Sequence, residues 1–131
     1  MSEIIRTYRD LKAWQKAMDL VRMIYSSTRQ MPTSEQFGLT NQMRRAAVSI
    51  PSNIAEGYAR QSTIDYIRFL RTSRGSLAEL LTQVELVISM SMLPDNPPLT
   101  SLLQEVDRIL QALIRLEQKL KPPKRASGPD T

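Results

Sequence analysis

Arg68, Arg71 and Arg74 follow one another at steps of three, so on a helix they lie along one gently drifting face. Arginine carries a planar fork of donors that matches phosphate geometry, which makes such a column a candidate nucleic-acid surface. The surrounding segment strengthens it. Between Arg44 and Arg74 stand six arginines (Arg44, Arg45, Arg60, Arg68, Arg71, Arg74), opposed by Glu56 and Asp65 alone. Tyr58, Tyr66 and Phe69 interleave with them and offer rings on which bases could stack. Helical spacing assigns at least Tyr58 and Phe69 to core packing instead. The competing use of the arginines is a solvated face whose guanidinium groups pair with neighbouring acids.

A second constellation is polar rather than basic. Arg45, Ser49, Asn53, Glu56 and Arg60 recur at steps of three and four, forming a stripe along one helix. Covered by another helix, such a stripe must find partners, because unpaired buried polar groups are costly. Ser76 and Glu79 are the natural ones, so Arg45, Ser49, Asn53, Glu56, Ser76 and Glu79 are expected to form a structural network. Glu56 and Glu79 across two helices are too few carboxylates for a transition-metal cage, and the chain has no His and no Cys. That composition removes thiolate zinc, iron–sulfur and imidazole metal sites, cysteine nucleophiles and Ser-His-Asp hydrolysis. No glycine-rich phosphate loop or helix-turn-helix is present. The expectation is no catalytic residue, no metal, no cofactor and no enzyme.

The elements that position these residues read as helices throughout. Leu11, Trp14, Met18, Val21 and Tyr25 keep helical steps between Tyr8 and Met31, where Pro32 stops the run. A second helix from Ser34 or a few residues later carries Leu39, Met43, Ala47, Ile50, Ile54 and Tyr58, with Pro51 predicting a kink rather than a stop. Gly57 suits a helix end or a tight interhelical contact. Ser62-Thr63-Ile64-Asp65 resembles a capping box and opens a third helix with Ile67, Leu70, Leu77, Leu81, Val84 and Ile88, running to about Met92. Gly75 inside it costs about 1 kcal/mol against Ala and predicts close approach by a neighbouring helix. The fourth helix, Leu99 to Leu120, bears Leu99, Leu102, Val106, Ile109, Leu113, Leu116 and Leu120, with a second set at Leu103, Leu110 and Ile114. That double stripe predicts subunit contacts. The fold class is therefore all-α, an antiparallel up-down four-helix bundle over residues 1–120, with a disordered polar tail at 121–131.

The 131 residues carry 18 Lys+Arg against 13 Asp+Glu, a net charge of +5 that favours an anionic partner. No apolar run reaches the roughly 18 residues of a membrane helix, and the acidic opening Met1-Ser2-Glu3 has no leader character. No membrane association is expected, and the location expected is cytoplasmic.

At the residues above a family pattern emerges. Asp10-Leu11-x-x-Trp14-x-x-Ala17 is followed by Glu35-x-Phe37-Gly38-Leu39-x-x-Gln42-x-Arg44-Arg45-Ala46-Ala47-x-Ser49-Ile50-Pro51-x-Asn53-Ile54-Ala55-Glu56-Gly57, then Phe69-Leu70-x-x-Ser73-x-Gly75-Ser76-x-x-Glu79. The pattern closely resembles the four-helix-bundle proteins encoded in intervening sequences of bacterial large-subunit ribosomal RNA genes, from about Tyr8 to Leu120. The resemblance implies a homo-oligomer, a closed ring of five bundles, without enzymatic activity. It also implies similarity to the accessory variability proteins of diversity-generating retroelements, basic pentamers that bind a reverse transcriptase and nucleic acid. The expected function is thus a non-catalytic oligomer contacting RNA or an RNA–protein complex through arginines. The alternative is a protein–protein scaffold that never touches nucleic acid.

Overall fold

The computed structural model describes residues 4–120 and turns the apolar steps into four helices: α1 (Lys12–Thr28), α2 (Leu39–Tyr58), α3 (Thr63–Ser89) and α4 (Pro97–Leu120). Two short 3₁₀ turns, Tyr8–Asp10 and Thr33–Glu35, precede α1 and α2. The tail reading at 121–131 lies outside the described residues. α2 sits between α1 and α3, and α4 closes the bundle against α1 and α3. No described helix is long and apolar enough to cross a membrane.

Helix ends follow local chemistry. Ser62 Oγ accepts the Asp65 N–H at 3.2 Å and caps α3. The reciprocal half of the expected capping box is replaced, since the Asp65 carboxylate pairs with Arg68 at 2.9 Å. α3 ends on Ser91 in the left-handed region (φ 61°). That conformation lets Ser91 N–H reach Ile88 O and Met92 N–H reach Val87 O, the two bonds of a Schellman ending. α4 starts two residues before the expected Leu99. Asn96 Oδ1 accepts Leu99 N–H, and Pro97 takes the first turn, where a missing N–H leaves nothing unpaired.

The core lies on one seam per helix. α2 is continuous through Pro51, as expected of a proline in phase with Met43, Ala47, Ile50 and Ile54, all fully buried. In α1 the buried line is Ala13, Ala17, Leu20 and Ile24, one residue out of phase with the expected stripe. Trp14, Met18 and Val21 are half-buried, and Tyr25, expected inside, is 39% exposed. The small alanines explain the shift, because they let α1 approach its neighbours more closely than a Trp–Met line would. In α4 the second apolar set, Leu103, Leu110 and Ile114, is the buried one, together with Leu99 and Val106. Leu102, Ile109 and Leu113 pack against the core from its edge. The double stripe is thus covered within the chain, and only Leu116 and Leu120 stay outside it.

The two helical glycines behave differently. A Cβ on Gly57 would stand 2.6 Å from Phe69 Cβ, so the α2–α3 crossing needs glycine there. Gly75 has nothing within 4 Å of its missing Cβ and is exposed. The neighbouring helix expected at Gly75 is therefore absent among the described residues. α4 passes Arg74 and Leu77 instead, on the other side of α3.

Candidate nucleic-acid interface

The arginines divide by what surrounds them. Arg74, on α3, donates to Asp107 of α4 through Nε at 2.8 Å and Nη2 at 3.4 Å. Burial alone would raise the Asp107 carboxyl. The bonds from Arg74 and Gln111, with the charge of Arg74, outweigh it and hold the pKa below the usual carboxylate value. Arg68 pairs with Asp65 one turn back. Arg60 pairs with Glu56 at 3.1 Å, and its guanidinium lies 4.8 Å above the Phe69 ring. Of the column expected on α3, only Arg71 is exposed without an ion pair among the described residues.

The interleaved aromatics are likewise occupied. Tyr66 is buried in the core, edge-on to Tyr58 at 5.9 Å, and its hydroxyl has no hydrogen-bond partner. Burial pushes its ionisation well above the ordinary tyrosine range, with Glu117 and Tyr58 adding to the effect. Phe69 is wedged between Gly57 and Arg60. None of the three presents a free ring. Tyr58 and Phe69 pack as helical spacing assigned them, and burial removes Tyr66 as the remaining ring on which a base could stack.

α2 arranges its two adjacent arginines in opposite ways. Arg44 turns back onto α1, where Nε donates to Thr28 Oγ1 at 2.9 Å and the guanidinium covers the Tyr25 ring at 4.6 Å. Nη2 also reaches the Tyr25 carbonyl at 3.5 Å, so a cation sits on the carboxyl-terminal turn of α1, where the helix dipole favours it. Arg45, one residue on, is exposed and makes no ion pair among the described residues. It borders two adjoining depressions. One, of about 480 Å³, is lined by Phe37, Asn41, Gln42, Ser49 and Glu79. The other, of about 500 Å³, is lined by Tyr25, Asn41, Arg44 and Val48.

The expected polar network contracts to one bridge between helices, the hydroxyl pair Ser49–Ser76. Asn53 donates to the Ser49 carbonyl of its own helix at 2.7 Å. Glu79 receives Gln83 of its own helix at 3.3 Å, and Glu56 stays on α2 with Arg60. Glu56 and Glu79 are both exposed, and each is bonded to a residue of its own helix. The deeper tie is Ser73, fully buried on α3, whose Oγ donates to Ile50 O of α2 at 2.9 Å. Among the described residues no group of three His, Cys, Asp or Glu is placed to hold a metal ion.

Residues 9–115 match the 23S rRNA-intervening sequence protein family, which is most of the chain. This chain belongs to that family. No curated protein is similar enough to the chain to count as a match. The intervening-sequence family match covers α1, α2, α3 and most of α4, so Arg45, Phe37 and the α3 arginines all fall inside it.

Two residues that carry the α2 surface were not singled out for binding by sequence reasoning. Phe37 is 89% exposed and Tyr25 39%. The signal for Phe37 was its place: an aromatic between Gln36 and Gly38 in a polar turn, outside the apolar steps on either side. Tyr25 fitted the α1 steps and gave no such signal.

Proposed function

We propose that this intervening-sequence family protein is a non-catalytic, cytoplasmic oligomer of up-down antiparallel bundles. It binds RNA, or RNA within a nucleoprotein, through arginine-bearing surfaces. The observation that carries the reading is that Arg45 and Arg71 stand exposed without acidic partners among the described residues, on a chain of net charge +5. The family match supports it, because the family is named for its place in 23S ribosomal RNA genes. A ring of five copies would repeat Arg45 and Arg71 five times and turn local cations into a collective field. Exposed Ile64, Leu86, Met90, Leu116 and Leu120 supply apolar surface for the contacts between copies. The same residues favour the rival reading, a protein scaffold without nucleic acid.

Gel retardation of a structured RNA at about 50 mM salt separates the two, since counterion release makes polyanion binding fall steeply with salt. The double variant Arg45→Glu/Arg71→Glu should fold and lose most of the retardation. Arg68→Glu/Arg74→Glu should lose less, because those charges are already neutralised by Asp65 and Asp107. A wild-type chain that leaves RNA unshifted at that salt would favour the scaffold. Light scattering giving the mass of a single 15.0 kDa chain would remove the oligomer.

A further inference from the structure

The geometry points to the amino-terminal end of α2 as a site for single-stranded RNA, with Phe37 as the platform on which an unpaired base stacks. The inference rests on the RNA-binding reading and specifies its ligand.

Phe37 is held outward by a fixed turn. Gly38 N–H bonds to Glu35 O at 3.0 Å, and the Glu35 carboxylate accepts Leu39 N–H at 3.3 Å, so both flanks of the ring are tied to the start of α2. The ring itself is 89% exposed, the highest value among the large apolar side chains of the described residues. It opens onto the same depression as Asn41, Gln42 and Arg45. Asn41 and Arg45 continue into the second depression, beside Arg44 and Tyr25. Four kinds of group thus meet on one ridge: an exposed ring, two amides that can both donate to and accept from a base edge, a free guanidinium, and a second guanidinium fixed flat on Tyr25.

The combination fits an unpaired strand better than a duplex. A-form RNA presents phosphates and a shallow groove, for which charge alone suffices, whereas a protruding aromatic gains contact only with a base free to leave its stack. Each depression is large enough for a small ligand group. Glu79 borders the first depression and repels phosphate, so the strand's backbone runs along the Arg44–Arg45 side, with the base turned towards Phe37.

Fluorescence anisotropy tests this with the full chain, a labelled single-stranded RNA of roughly twelve nucleotides, and a blunt-ended RNA duplex of similar length. Phe37→Ala should weaken single-strand binding by about tenfold and leave duplex binding and the mass in solution unchanged. Phe37→Trp should restore the wild-type affinity. Equal single-strand affinity of Phe37→Ala and wild type would overturn the stacking role while leaving RNA binding intact. So would an equal loss on both RNAs. A fall in the mass of Phe37→Ala would make the ring a contact between copies and overturn the site. A wild-type chain that binds neither RNA would overturn the functional reading, and this inference with it.

Discussion

The ridge of α2 and the arginine column of α3 each keep one free arginine, but they use up the others in different ways and set the free one in different surroundings. On α3, Arg68 answers Asp65 and Arg74 answers Asp107, leaving Arg71. On α2, Arg44 serves the end of α1, while Arg45 is left beside exposed Phe37. A regular spacing of arginines therefore says where a column lies but not whether it is free. Freedom is decided by acids one turn away and by acids on the facing helix. The first can be read from a sequence. The second needs the pairing of helices.

The sharpest test of the comparison lies within the α2 ridge. Arg44→Ala removes a charged donor from buried Thr28, a carbonyl partner on α1 and the cation over Tyr25. It should cost about 1–2 kcal/mol in urea denaturation. Arg45→Ala removes no side-chain hydrogen bond or ion pair among the described residues and should stay within about 0.5 kcal/mol of wild type. Equal losses from the two variants would mean that Arg45 also has a structural partner, and the ridge would keep no free arginine.

Next in size is Gly75, on the exposed side of α3. With nothing within 4 Å of its Cβ position, Gly75→Ala should stabilise the chain by up to about 1 kcal/mol through helix propensity alone. A loss of stability, with a fall in oligomer mass by light scattering, would place another copy against that face. The column would then be an interface and not an open surface.

These contrasts show what the residues could and could not announce. Much of the α2 and α3 seams was legible because Met43, Ile50, Ile54, Ile67, Leu70, Leu77 and Val84 are large and hold helical phase, although α3 buries Leu80 and Val87 where Leu81 and Ile88, one residue on, were expected. α1 slipped by one residue because alanines, silent in a search for bulky steps, make its closest contacts. The polar stripe was legible as a stripe. Its partners were not, since Asn53 is satisfied by the backbone of its own helix and Glu56 by Arg60 one turn on. Ser73, whose buried hydroxyl ties α3 to α2, sits in the family pattern with no local feature to mark it from any exposed serine.

The smallest effect expected belongs to the ion pair that closes the column. Asp107 and Arg74 are each partly exposed, so solvent screens them, and Asp107→Asn should cost only about 0.5–1 kcal/mol at pH 7. The pH dependence is more telling than the size. The fold holds the Asp107 carboxyl below its ordinary value. Its contribution is therefore complete above the unfolded pKa of about 3.9 and is lost as pH falls through the lower folded value. Other groups titrate in the same range. Backbone donors from Arg6 and Thr7 lower Asp10, and burial raises Glu117. Both are present in wild type and variant alike, so they cancel in the difference between the two stability curves. That difference should be flat from pH 7 to about 5 and shrink towards zero below about 4. If it is already zero at pH 7, Arg74 is not held by Asp107 in solution, and the α3 column has two free arginines where the bundle shows one.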